Sequence, residues 1–377
     1  MIELSEQELE RLKTAARLLL EAEDRLPVLR TLNWDRAYAE AFFKSGCKTL
    51  PRPTYPKVDP VPSRERVSAA RAFIRGASPV HRWLTRFADI TEETAALLEC
   101  VGTPAFHEHS LQLYGGPTSP IADGKRTALE LAKRLDALLS DFDDGGRKLE
   151  PPARYSAAQI KARLDEELPT VFGAAAPRIE IAKNVSGKAA AGRDYVKLRA
   201  DAAFSDLDAA QILQHEAFVH IATGKNGEAQ PHFPILAESY PGNARTQEGL
   251  AVFAEFVSGA LDPSRFKRLA DRVIAIEMSA QGADFIAIFN FFRERNAVDA
   301  PFEAFESARR VVRGGLVEGR APFTGADWPL GEWVEAGGTV PCHIGVHACR
   351  ASDVAHWLAA SMWHIELDGD IVDTTHK

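Results

Sequence analysis

Cysteine is scarce in this chain. Cys47, Cys100, Cys342 and Cys349 are the four among 377 residues, too few and too scattered for a disulfide framework at this length. Uninterrupted apolar runs are short. None approaches the roughly 18 residues a membrane-spanning helix requires, so no membrane association is expected. The N-terminus, Met1-Ile2-Glu3-Leu4-Ser5-Glu6, has neither the basic start nor the apolar stretch of a secretory signal. A reducing, cytoplasmic setting is the expectation. Positive charge is also in deficit, with 45 Lys and Arg against 53 Asp and Glu and a net charge of -8. That balance argues against nucleic acid, which needs a basic face. Repeats and low-complexity tracts are absent. What remains is an ordinary globular composition, 45% hydrophobic and 26% charged, able to bury a sizeable core.

Periodicity divides the chain into three parts, expected at 1–150, 151–330 and 331–377. The first reads as a helical subdomain packed on the catalytic part. In it, Leu9, Leu12, Ala15, Ala16 and Leu19 recur at helical spacing behind an N-cap at Ser5. Further helical patterns cover Trp34 to Lys44, Ser63 to Arg75 and Lys125 to Leu139. Proline-rich residues 50–62 separate two of them and read as a tether. The second part opens with a helix over Ser156 to Leu168. Two short strands, Ile179 to Ala182 and Tyr195 to Leu198, flank a small-residue loop, Val185 to Gly192. Helical patterns then return at about 206–223, 247–258, 264–281, 284–296 and 301–312. The fold class is therefore α+β, mainly helical, with a small sheet beside one central helix.

That helix carries His215-Glu216-Ala217-Phe218-Val219-His220. Ser205 and Asp208 have the spacing of a capping box at its start, and Gly224 is placed as its left-handed stop. Zinc hydrolysis uses neutral imidazole ligands, an open coordination position and a carboxylate that can take a proton from water. The common H-E-x-x-H spacing sets its histidines about 40° apart on an ideal helix, whereas the longer spacing here gives about 140°. One wide π-type turn between His215 and His220 would correct the angle. Without it, the pattern is equally a chance pairing on a helix. A third ligand is also needed. Thr246 can cap a following helix and place Glu248 in its first turn, where the dipole favours a carboxylate. There Glu248 is a candidate ligand, or it simply satisfies the dipole.

Taken in order, His-Glu-x-x-x-His, Asn226-Gly227-x-x-Gln230-Pro231 and Thr246-Gln247-Glu248-Gly249-Leu250-Ala251 resemble the bacterial QEGLA-motif family, described as modulating flavohemoglobin expression. That family is similar to the microtubule-associated tyrosine carboxypeptidases, which remove the C-terminal tyrosine of α-tubulin. The likeness is densest over residues 185 to 258, and Arg310-Val311-Val312-Arg313-Gly314-Gly315 belongs to it. It implies a zincin-like metallopeptidase in which His215, His220 and Glu248 hold Zn2+ and Glu216 is the general base. The implied reaction is removal of a C-terminal residue from a peptide or protein.

A carboxypeptidase must also hold a terminal carboxylate, and a cationic side chain is the natural partner. Lys188 and Arg245 lie nearest the motifs. Arg193, Lys197, Arg199, Arg309, Arg310 and Arg313 are further candidates, and Tyr240 or His232 could donate to a developing oxyanion. Two other histidine-bearing stretches invite comparison. His107-Glu108-His109 points its side chains apart on a helix, so it reads as an ordinary polar segment. Cys342, His343, His347 and Cys349 match no common zinc spacing and lie where the resemblance has faded, after Gly331. The competing reading is a metal-binding regulatory protein of the same fold without turnover; a hydrolase of non-peptide amides is a third. Retention of Glu216 beside the ligands favours catalysis.

Overall fold

The structure is a computed structural model that describes residues 4–121, 124–143, 152–183, 185, 187–296 and 300–315. The expected C-terminal part, with its cysteine and histidine pairs, lies outside the described residues. The fold is α+β and mainly helical. Seven helices come first: α1 Glu6–Glu23, α2 Val28–Thr31, α3 Arg36–Lys44, α4 Val61–Arg71, α5 Pro79–Glu99, α6 Ala105–Tyr114 and α7 Ala128–Asp143. In α1 the Ser5 side chain accepts from the Glu8 amide, and Leu12, Ala15, Ala16 and Leu19 are buried. The apolar stripe thus faces inward as the spacing requires.

The proline-rich tether is docked rather than loose. Pro51 and Pro60 are buried, and the Tyr55 hydroxyl accepts from Trp34 Nε1 at 2.9 Å and from the Gly314 amide at 2.8 Å. Proline supplies no amide donor, so side chains secure this segment instead.

Strand β1 (Tyr155–Ser156) leads into α8 (Ala157–Phe172). Ser156 and Gln159 form a reciprocal capping box at the start of that helix. Then come β2 (Arg178–Ala182), β3 (Ala189–Ala191), β4 (Tyr195–Arg199) and β5 (Ala203–Phe204). The two expected strands, β2 and β4, pair in parallel, so they do not form a hairpin. The small-residue loop between them contributes β3, antiparallel to β4, and the order is β2-β4-β3. Alanine has weak strand propensity, which hides β3 from pattern reading.

The remaining helices are α9 (Asp206–Gln211), a π-helical segment Ile212–Ile221, α10 (Ala222–Glu228), α11 (Pro241–Val257), α12 (Pro263–Ala280), α13 (Phe285–Asn296) and α14 (Pro301–Val312). A 3-10 turn, Pro234–Ala237, sits between α10 and α11.

The three largest hydrophobic cores organise most of these elements. One packs α8, β2, β4 and β5 under the π segment and α11, through Leu164, Val196, Leu198, Phe204, Phe218 and Ala254. A second is aromatic: Trp34 and Phe42 of the N-terminal region meet Phe285, Phe289 and Phe305. The Phe42 and Phe289 rings lie 4.9 Å apart, edge to face, the arrangement their quadrupoles prefer. The third joins α1, α4 and α5 to Ile235 and Tyr240. The last two draw on both sides of residue 150. Among the described residues no helix is long and apolar enough to cross a membrane.

Candidate metal centre

The motif helix starts as the sequence implies. Ser205 Oγ accepts from the Asp208 amide at 3.0 Å while Asp208 Oδ2 accepts from the Ser205 amide at 2.7 Å. It does not stop at Gly224, which lies inside α10; that helix runs on to Glu228. Gly227 is the constrained glycine. A Cβ there would lie 2.3 Å from the Ala237 amide nitrogen and 2.4 Å from Leu236 backbone atoms. The following 3-10 turn therefore packs directly on the helix backbone.

Between α9 and α10 the helix widens to π geometry over Ile212–Ile221. The extra residue between the histidines is absorbed here, because i→i+5 bonding brings positions five apart onto one side. The expected wide turn is present, and it extends well beyond the motif. His215, Glu216, Ala217, Phe218 and Val219 are consecutively buried, so the segment is enclosed on all sides. The two imidazole rings stand 4.9 Å apart.

Glu248 reaches them from α11, though not from the first turn. That helix begins at Pro241, with the Tyr240 amide donating to Asn243 Oδ1 at 2.9 Å. Thr246 is interior, and Glu248 lies two turns in. Proline at the first helical position is a good start signal, and it outcompetes Thr246. The helix dipole therefore does not hold Glu248 in place; tertiary packing against the π segment positions it instead. Glu248 Oε2 lies 3.6 Å from His215 Nε2, and Oε1 lies 3.4 Å from His220 Nε2.

Among the described residues, His215, His220 and Glu248 form the one group of His, Cys, Asp or Glu arranged to share a metal, with ligand atoms all within 4.8 Å. Both Nε2 atoms are buried without a hydrogen-bond partner, a costly state for a polar atom unless something else binds it. Two ligands about 2.0–2.1 Å from one tetrahedral ion sit roughly 3.3 Å apart. The observed carboxylate-to-imidazole separations match that spacing. The residues fit a divalent metal with two nitrogen donors and one oxygen donor.

The opposite ring nitrogens are held. His215 Nδ1 lies 2.7 Å from Glu255 Oε1, and His220 Nδ1 lies 3.2 Å from Gln247 Oε1. Glu255 is fully buried and receives Arg265 through Nε at 3.1 Å and Nη2 at 3.0 Å. Burial would raise the Glu255 carboxyl, but Arg265 and then His215 outweigh it and hold it at about 2. Burial would likewise drive His215 neutral, but the nearby Glu248 and Glu255 carboxylates, aided by the Glu216 charge, push it up to about 9. Glu255 and Arg265 escaped the sequence reading. A carboxylate two turns after Glu248 on the same face was the available signal for the first. For Arg265, on α12, there was none.

Glu216, 7% exposed, points to the sheet rather than to the ligands' far side: the Ala191 amide of β3 donates to its Oε2 at 2.9 Å. The remaining candidates scatter. Lys188 Nζ donates to Asp208 Oδ2 at 2.7 Å, at the mouth of the motif helix. Arg193 pairs with Glu238, and Arg199 with Glu303 and Asp201. Lys197 Nζ lies 4.5 Å over the Tyr195 ring. Arg245 is half-buried, one turn before Glu248 on α11. His232 is exposed.

Tyr240 stacks on Phe87 at 4.1 Å in the core of α1, α4 and α5, and burial raises its hydroxyl. Arg309 is clamped by Glu306 at 2.8 Å. Arg310 and Arg313 are lowered, by burial first and then by neighbouring guanidinium groups. His107 and His109 lie on α6, where His109 Nδ1 meets Glu93 at 2.7 Å.

Comparison with known proteins gives one assignment. A family model described as microtubule-associated tyrosine carboxypeptidase matches residues 40–325. No curated protein matches the chain. The match takes in the motif helix, Glu248, Glu255 and Arg265 alike, and spans well over half of the sequence. The chain belongs to the microtubule-associated tyrosine carboxypeptidase family.

Proposed function

We propose that this chain is a zinc-dependent carboxypeptidase of zincin-like architecture that removes a C-terminal residue from a peptide or protein. One observation carries the reading: two buried imidazole nitrogens without partners converge on the Glu248 carboxylate, with Glu216 adjacent in sequence and drawn to the edge strand. Zinc is the expected metal because a His, His, Glu donor set with room for water is a common catalytic form of its coordination. Bound there, zinc would supply Lewis acidity and lower the pKa of a coordinated water.

The chain's own residues account for the rest. His215, His220 and Glu248 hold the ion. Glu216 accepts a proton from water and passes it to the leaving amine. The Ala191 amide keeps one Glu216 oxygen occupied, which leaves the other to work as base. For the substrate carboxylate, Arg245 fits best among the sequence candidates, since it is half-buried on the helix that carries Glu248. Lys188, which donates to Asp208 at the start of the motif helix, is the second candidate, while Tyr240 is committed to a core.

Wild type and Glu216→Gln should both bind about one zinc per chain. On a peptide library with varied C-termini, wild type should release single C-terminal residues. General acid–base catalysis contributes about 10²–10⁴-fold, so Glu216→Gln should lose at least that factor. Stoichiometric zinc with no cleavage by either protein would refute the peptidase reading and favour the regulatory one.

A further inference from the structure

The sequence motifs stop at three ligands and a base, yet the most completely buried charge near them belongs to none of the motifs. Glu255 has no solvent exposure, and one oxygen, Oε1, serves both His215 Nδ1 at 2.7 Å and Arg265 Nη2 at 3.0 Å. Its other oxygen takes Arg265 Nε at 3.1 Å. The guanidinium thus grips the carboxylate with two parallel bonds, the geometry that fixes a carboxylate plane as well as its charge.

We propose that Arg265 is a positioning residue of the metal centre, acting through Glu255 to hold the His215 imidazole in the one orientation and tautomer that turns Nε2 toward Glu248 and His220. This rests on the metal-centre reading above.

A histidine that ligates through Nε2 carries its proton on Nδ1 and needs an acceptor there. Glu255 is that acceptor, but a neutral imidazole does not balance a buried carboxylate, and an unbalanced one is costly. Arg265 supplies the balance from a third element, α12. The stretch leading into that helix is pinned to the motif helix, since Gln211 Nε2 donates to the Ala260 carbonyl at 2.8 Å, and Asp262 caps α12 by accepting from the Arg265 amide at 3.0 Å. His220 has no such arrangement, since its Nδ1 faces the neutral Gln247 at 3.2 Å. The two ligands are therefore supported unequally, and His215 is the anchored one.

Competition with a chelator on the full chain, wild type and variants, measures the zinc dissociation constant directly. Outer partners of ligating histidines are typically worth about 10–100-fold in metal affinity. Glu255→Gln should weaken zinc by about that range, Arg265→Gln by about 10-fold, and the double variant no more than Glu255→Gln alone. The d–d spectrum of the cobalt-substituted protein should shift in all three, which a change in overall stability would not produce. Should Arg265→Gln fail to fold, Arg265→Lys keeps the charge but loses the fork and should show the same spectral shift with a smaller affinity loss.

Wild-type affinity and spectrum in either Arg265 variant, or losses that multiply in the double variant, would overturn the proposal. Absence of zinc from wild type itself would instead remove the metal-centre reading, and this proposal with it.

Discussion

Gly227 and Gly224 lie in the same short helix, α10, and alanine should have opposite effects at the two. Helix propensity favours alanine over glycine by about 0.8–1 kcal/mol in a helix interior. At Gly224 nothing opposes this, because the nearest atom to an added Cβ is the Ala237 carbonyl oxygen at 3.8 Å, ordinary contact. Gly224→Ala should therefore stabilise by up to about 1 kcal/mol.

At Gly227 the added carbon would meet the Ala237 nitrogen at 2.3 Å and Leu236 carbon and oxygen at 2.4 Å. These are backbone atoms, so the 3-10 turn would have to retreat by about 1 Å to restore normal contact. It cannot retreat freely, since Ile235 of that turn is 1% exposed in the core with α1 and α5. Overpacking of this kind costs about 1–3 kcal/mol, at the upper end when backbone must move. Subtracting the propensity gain leaves a net loss of about 2 kcal/mol.

The same turn leads into α11 and Glu248, so metal affinity at the proposed site should fall as well. Urea unfolding of the two variants side by side, followed by chelator titration, reads both effects. A Gly227→Ala protein as stable as Gly224→Ala would refute the close-approach argument.

Two further outcomes follow from half-buried polar groups. Tyr55→Phe removes the acceptor shared by Trp34 Nε1 and the Gly314 amide; stranding these donors should cost about 1–3 kcal/mol in urea unfolding, with metal binding at the proposed site unchanged. Glu23 is raised to about 7, by burial first and then by Glu238 and Asp24. Its folded pKa exceeds the unfolded one, so it binds its proton more tightly when folded. This favours folding at low pH and costs stability as pH rises from about 4.5 through 7. Glu23→Gln should consequently raise the melting temperature at pH 8 relative to wild type, and much less at pH 5. An equal gain at both would show that Glu23 titrates normally.

Much of the helical framework is local in origin. The Ser5 and Ser205 caps and the apolar stripe of α1 follow from side chains within one or two turns of each other. The candidate ligand residues were legible for the same reason, as short motifs at fixed spacing. Even the widened turn was deducible, since two histidines five residues apart cannot face one ion from a regular α-helix.

Other features needed distant partners. The start of α11 at Pro241 rather than Thr246 rests on Asn243 and on packing against the π segment. The strand β3 forms from alanines with little intrinsic preference, because β4 offers it an edge. Tyr55 docks a proline-rich stretch through a bond to Gly314, 259 residues away. Arg265 reaches Glu255 from the first turn of α12, beside the stretch that Gln211 holds through the Ala260 carbonyl. Spacing along the chain determined which residues could be ligands; which buried charges hold them in place was decided by packing between helices, where a fully desolvated carboxylate must find its counter-charge wherever the fold supplies one.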